Sequence, residues 1–141
     1  MSEVARVRAL AEQLARAAGA VQRERYETEL VVRTKSASID LVTEVDQACE
    51  ALIVGALRRE RRDDAILAEE GSGEDRPGAE WRWVIDPLDG TMNYAHGYPR
   101  FCVSIGVSRR SAPTISASHA WSTSVTRSIE ALFVRTTSSV S

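Results

Sequence analysis

The stretch Trp81-Arg82-Trp83-Val84-Ile85-Asp86-Pro87-Leu88-Asp89-Gly90-Thr91 decides how this chain is read. Its opening residues are aromatic and β-branched around one arginine, the composition of a buried strand. The strand predicts its own end at Asp86-Pro87, where the fixed φ of proline suits a turn. Across that turn Asp86 and Asp89 can point to one place, with the Leu88 carbonyl between them as a further oxygen. Upstream, Ala65-Ile66-Leu67-Ala68 reads as a second short strand, and it too ends in acid, at Glu69-Glu70. If the two strands are neighbours, their terminal carboxylates converge. Oxygen donors of this kind, without His or Cys, favour Mg²⁺ or Mn²⁺ over Zn²⁺. Gly90-Thr91 opens the next segment, where free backbone N–H groups can hold a phosphate. A pair of cations about 3.5–4 Å apart in such a place can activate a water and stabilise the leaving oxygen of a phosphate ester.

On the N-terminal side the chain reads as helical. Val4, Val7, Leu10, Ala11, Leu14, Ala17, Ala18 and Val21 recur at spacings of three and four, the apolar stripe of one helix. Glu29-Leu30-Val31-Val32 then predicts extended structure, and Lys35-Ser36-Ala37-Ser38 a loop. Thr43 with Asp46 three residues on is a variant capping box and predicts a second helix start. Its apolar face is Val45, Ala48, Cys49, Leu52, Ile53, Ala56 and Leu57. Arg58-Arg59-Glu60-Arg61-Arg62 follows, a basic helix end that complements the dipole rather than a phosphate clamp. Cys49 on that face and Cys102 in a later apolar strand read as core residues. On the C-terminal side, Phe101 to Val107 alternates apolar and small residues and reads as a third strand. His96 reads as a surface or packing histidine.

Composition bounds the rest. The chain has 141 residues, 43% hydrophobic, 27% charged and 6% aromatic, which suits one globular domain. Its net charge of −2 and the lack of a basic stripe argue against nucleic acid as a partner. No apolar run reaches the roughly 18 residues a membrane span needs. The N-terminus has no secretory pattern and the two cysteines are far apart, so the expected compartment is the cytoplasm. After Val107 the character changes: residues 108–141 hold ten Ser and five Thr, with little periodicity. The expected division is therefore 1–107, an α+β domain, and 108–141, an atypical Ser/Thr/Arg-rich tail. Ile129, Leu132 and Phe133 suit a short element that nothing bounds.

The string Trp83 to Thr91, followed by Asn93-Tyr94 and Gly97-Tyr98-Pro99, resembles the central signature of the inositol monophosphatase family. Lys35 to Asp46 is similar to that family's upstream motif, and Phe101 to Val107 to its following strand. The resemblance covers about residues 4–107. It implies the N-terminal half of a layered α/β/α/β/α sugar-phosphatase fold, with a helix pair packed on a mainly antiparallel sheet. It implies a Mg²⁺-dependent phosphomonoesterase acting on inositol 1-phosphate or a similar small polyol phosphate. Histidinol-phosphate, fructose-1,6-bisphosphate and 3′-phosphoadenosine 5′-phosphate are alternative substrates, and a non-catalytic fragment is a separate alternative. By position it implies Glu69, Asp86 and the Leu88 carbonyl as ligands of one Mg²⁺, and Asp86 with Asp89 as ligands of a second. Thr91, directed toward Glu69, would orient and deprotonate the attacking water with it. The backbone of Gly90 and Thr91 would meet the phosphate, and Asp89 the substrate hydroxyl region. Lys35, Asp46 and Glu70 would support the metals and water from behind. The family's later Trp-Asp-x-Ala-Ala-Gly-like motif has no counterpart after Val107; Trp121 is followed by Ser122-Thr123-Ser124. That departure predicts a shortened chain whose last stretch is out of frame, and it leaves a family-type homodimer dependent on the fold being completed.

Overall fold

Residues 3–25 wind into α1 (Glu3–Arg25), started by Ser2, whose hydroxyl accepts from the Ala5 amide at 3.1 Å. The structure, a computed structural model, describes residues 1–28, 32–34, 41–110 and 132–137. The α1 stripe buries Val7, Leu10, Ala11, Leu14, Ala15 and Ala18, and it carries Gly19 and Gln22 inward with them. Val4, expected on the stripe, lies in the first turn, one turn before the first core contact, and is 42% exposed.

A two-stranded antiparallel ribbon follows, β1 (Val32–Thr34) with β2 (Leu41–Thr43), in the register Val32↔Thr43 and Thr34↔Leu41. Lys35 and Asp40 lie outside the described residues, as does the interval 111–131 with Trp121. Thr43 ends β2 and caps α2 (Glu44–Glu60): its hydroxyl accepts from the Val45 and Asp46 amides, and Asp46 Oδ2 accepts from the Thr43 amide at 2.9 Å. The expected capping box is therefore formed. The buried arc of α2 is broader than the expected face and turned slightly, because the helix packs against both α1 and the sheet. Ala48 is exposed and Leu52 half-buried, while Glu50 and Val54 are inside. At its C-terminal end Arg61 pairs with Asp64 at 2.7 Å and with Glu3 of α1, tying the two helices together.

The second sheet runs in the order β3 (Ala65–Ala68), β4 (Trp81–Asp89), β5 (Cys102–Arg109), β6 (Leu132–Thr137). Strands β3 and β4 are parallel, and the other two pairings are antiparallel. Trp81, Trp83 and Ile85 point into the helix-covered core, alternating with the half-buried Arg82, Val84 and Asp86. Trp83 is fully buried and its indole N–H donates to Asp64 Oδ2 at 2.8 Å. Cys49 is fully buried, and burial with the nearby Asp46 carboxylate pushes its thiol up to about 12, which fits a core role.

One expectation is corrected here. Strand β4 does not stop at Asp86-Pro87 but runs on to Asp89. Asp86 stands opposite Ser104 and Asp89 opposite Cys102, so β4 has one residue more than β5 over that interval. This is a bulge, and a bulge accommodates a proline with no N–H to give the ladder. A five-residue helix, α3 (Thr91–Ala95), lies between β4 and β5, and β6 is the described part of the short element expected around Ile129, Leu132 and Phe133. Leu132–Thr137 pairs with β5 along its length, from Val107↔Leu132 to Cys102↔Thr137. Among the described residues no helix is long and apolar enough to cross a membrane.

Candidate functional site

Parallel pairing of β3 and β4 brings the two acidic strand ends to one edge of the sheet. Ala68 stands opposite Ile85, and the Glu69 amide continues the ladder by donating to the Ile85 carbonyl at 3.1 Å. Glu69 and Asp86 therefore emerge side by side, close enough for Glu69 to act on the Asp86 carboxyl. Burial, the Glu69 contact and the charge of Asp89 together push Asp86 up to about 9. The bulge aims the remaining groups. The Leu88 amide donates to Asp86 Oδ1 at 3.3 Å, the Leu88 side chain is buried, and Asp89 Oδ2 lies 3.7 Å from Cys102 Sγ. Glu69 is exposed while Asp86 and Asp89 are half-buried, so the cluster is open to solvent on one side.

Gly90 makes the next turn possible. Its φ is 93°, and a Cβ there would stand 2.7 Å from the Arg100 carbonyl oxygen, so no other residue fits the close approach. Thr91 follows at the start of α3. Its single hydroxyl proton faces two acceptors, Asp46 Oδ1 at 2.7 Å and the Leu88 carbonyl at 3.0 Å, with the shorter bond to the carboxylate. Thr91 is thus linked to Asp46, a partner the resemblance did not supply. Asp46 is fully buried. Its other oxygen, Oδ2, is occupied by the Thr43 amide and hydroxyl. Burial raises the Asp46 carboxyl, with the Thr43 and Thr91 hydrogen bonds acting the other way. The same carboxylate that closes the capping box therefore positions Thr91.

The site is held from behind by the helices. Tyr94 donates from its hydroxyl to the Gln22 carbonyl at 2.7 Å, and Tyr26 to the Gly97 carbonyl at 2.6 Å. The rings of Tyr26, Tyr94 and Phe101 pack with centroids 4.7–5.6 Å apart. His96 is exposed, its Nδ1 2.7 Å from the Met92 carbonyl, as expected for a surface histidine.

Two polar residues with a part in this site escaped sequence reasoning. Gln22, fully buried on α1, donates from Nε2 to the Pro87 carbonyl at 2.9 Å and so grips the bulge itself. Glu50, buried on α2, accepts from the Glu70 amide at 2.7 Å. Their only signal in the sequence is position: each is a polar residue falling on a buried helical stripe, Gln22 four after Ala18 and Glu50 three before Ile53.

Among the described residues no three His, Cys, Asp or Glu side chains form a ready-made cation cage. The donor chemistry nevertheless fits a hard cation. The converging groups are carboxylate and carbonyl oxygens, the donors such a cation takes.

The profile of the inositol monophosphatase family matches residues 3–125. The chain is 45% identical over 84 residues to the inositol-1-monophosphatase of Synechocystis, covering 60% of this chain and 29% of that protein. It is 56% identical over 71 residues to Nus factor SuhB of Pseudomonas aeruginosa, covering 47% of this chain and 25% of that one. The crystal structure of extragenic suppressor protein suhB from Bartonella henselae superposes with a TM-score of 0.69 at 32% identity, over 74% of this chain and 41% of that one. The aligned region thus spans well under half the length of these relatives.

Proposed function

The chain belongs to the inositol monophosphatase family, and on that premise we propose that its acidic sheet edge is the site of a magnesium-dependent phosphomonoesterase. The substrate class is a small phosphorylated polyol, inositol 1-phosphate first. The observation that carries this reading is the parallel β3/β4 pairing that sets Glu69 beside Asp86, with Asp89 one bulge away.

Glu69, Asp86 and the Leu88 carbonyl would hold one Mg²⁺, and Asp86 with Asp89 a second. Mg²⁺ bound there supplies Lewis-acid polarisation of water and of the phosphoryl oxygens. The remaining work falls to the chain's own groups. Thr91 gives its proton inward to Asp46 and Leu88, which leaves its oxygen lone pairs free to accept from the attacking water. Buried Asp46 fixes the direction of that hydroxyl, and the Glu69 carboxylate stands ready as the base. Backbone amides at Gly90 and Thr91 orient the phosphate, and Asp89 meets the substrate hydroxyls. By the resemblance, Glu70 and Lys35 would support this arrangement, Lys35 from outside the described residues.

The test is phosphate release from inositol 1-phosphate with Mg²⁺, run beside histidinol-phosphate, fructose-1,6-bisphosphate and 3′-phosphoadenosine 5′-phosphate. Turnover that disappears in Asp86→Asn while the circular dichroism spectrum is kept is the expected result. A folded chain that releases no phosphate from any of the four substrates overturns the reading and favours the non-catalytic fragment. Turnover that Asp86→Asn leaves intact overturns the assignment of the site.

A further inference from the structure

We propose that Glu50 is the positioning residue of the Glu69 ligand: a buried carboxylate, outside the metal-binding set, that fixes the backbone on which Glu69 stands. The role rests on reading Glu69 as a metal ligand. Glu50 is 2% exposed on α2, and among the described residues it pairs with no Arg, Lys or His. A buried carboxylate is costly unless hydrogen bonds satisfy it. Here the bonds come from one loop. Oε2 accepts from the Glu70 amide at 2.7 Å, and Oε1 accepts from the Ser72 amide at 2.9 Å and the Ser72 hydroxyl at 2.5 Å.

The placement of those bonds gives the role. The peptide before Glu69 is held by strand β4, through the Glu69 amide and the Ile85 carbonyl. The peptide after Glu69 is held by Glu50, through the Glu70 amide. The Glu69 Cα is therefore fixed from both sides, by the sheet and by the helix. The loop beyond is pinned by the same helix, since Arg58 Nη2 donates to the Ser72 carbonyl at 2.7 Å. It then returns flush against β3. The Ile66 amide donates to the Glu74 carbonyl at 2.8 Å, and a Cβ on Gly73 would stand 2.6 Å from the Ile66 oxygen. A shift of Glu70 or Ser72 along the strand therefore breaks a bond to α2. Groups that orient a ligand in this way set metal affinity although they never touch the ion.

Glu50→Gln keeps the volume but replaces one acceptor oxygen with a donor, which must face either the Glu70 amide or Ser72. The measurements are Mn²⁺ affinity of the full chain by electron paramagnetic resonance, and hydrogen exchange of the Glu70 and Ser72 amides without metal. The expected result is weakening of Mn²⁺ binding by about tenfold or more, with faster exchange at one or both amides and an unchanged helical spectrum. An unchanged Mn²⁺ constant in folded Glu50→Gln overturns the proposal, and so does unchanged exchange at both amides. If Glu50→Gln does not fold, Ser72→Ala carries the test, because it removes the hydroxyl bond alone. It should weaken Mn²⁺ about threefold, and no change overturns the proposal. A wild-type chain that binds no Mn²⁺ overturns the metal site along with it. Wild-type binding with an unmoved Glu50→Gln constant overturns the Glu50 role alone.

Discussion

Asp46 is the residue at which the fold and the site depend on one side chain, and its substitution separates the two. Asp46→Ala removes three acceptor contacts at once: the Thr43 amide at 2.9 Å, the Thr43 hydroxyl at 2.5 Å and the Thr91 hydroxyl at 2.7 Å. Loss of the reciprocal half of a capping box costs about 1 kcal/mol. Thr43 is 1% exposed, so its amide, once unpaired, has no water to turn to, at a further cost of about 1–3 kcal/mol. Thr91 keeps the Leu88 carbonyl and adds little. The sum is about 3 kcal/mol, which for a chain of 141 residues lowers the melting midpoint by roughly 10–15 °C. Asp46→Asn should behave differently. Its amide oxygen can serve Thr43, while its NH₂ then donates to Thr91 and reverses that bond. Thr91 must in turn send its proton to Leu88 alone. Stability should fall by only about 1 kcal/mol, while phosphate release falls sharply because the hydroxyl is no longer anchored by an acceptor. Thermal melts by circular dichroism, paired with the phosphate assay, check both halves. Equal destabilisation by Asn and Ala, or an Ala variant within about 3 °C of wild type, refutes the bridging role.

Three further outcomes follow from single contacts. Gly90→Ala should destabilise by about 2–3 kcal/mol in urea unfolding, because φ is 93° and the new methyl would stand 2.7 Å from the Arg100 oxygen; a midpoint equal to wild type argues against that turn. Trp83→Phe should cost about 2–3 kcal/mol, from the indole bond to Asp64 and the volume lost in a fully buried position, and a loss below about 1 kcal/mol by the same titration contradicts the buried contact. Asp86→Asn should raise the stability of the metal-free chain by about 1 kcal/mol, since the amide can donate to Glu69 and accept from the Leu88 amide without adding charge. A lowered metal-free midpoint would count against the crowding of carboxylates at that edge.

Much of this arrangement is local and was therefore legible. The 3.6-residue periodicity of α1 and α2, the Thr43/Asp46 box and the Asp86–Thr91 string are all fixed by neighbours within one or two turns of chain. The convergence of Glu69 with Asp86 was conditional in the sequence, since it needed β3 and β4 to pair, and the parallel register meets that condition. What stayed hidden depends on partners far away in sequence. The strand continues through Pro87 because β5 supplies a register that a bulge can meet, and a proline alone signals only a break. Leu132–Thr137, apolar in its first half, is bounded as a strand only by lying along β5, because the sequence around it is Ser/Thr-rich and marks no limits. Gln22 reaches Pro87 across 65 residues and Glu50 reaches Glu70 and Ser72 across 20 and 22. A buried polar side chain has no sequence period of its own, so only its partner reveals it.

Those buried partners also explain how the chain keeps an unfavourable cluster in place. Burial first, then the Glu69 contact and the charge of Asp89, raise Asp86 to about 9. Left to side-chain forces, such groups would spread toward water. They are kept together by bonds to the backbone that carries them. Gln22 holds the Pro87 carbonyl between Asp86 and Asp89, Asp46 holds Thr91 after the turn, and Glu50 holds the amide that follows Glu69. Each of these three restraints comes from a helix and acts on main chain or on a hydroxyl. A site built that way puts the cost of gathering charge on the fold, and under the proposed function an entering cation would meet groups whose backbone is already set. Stability and affinity are then opposed at Asp86 and aligned at Glu50, because the first carries the charge and the second only holds the chain that presents it.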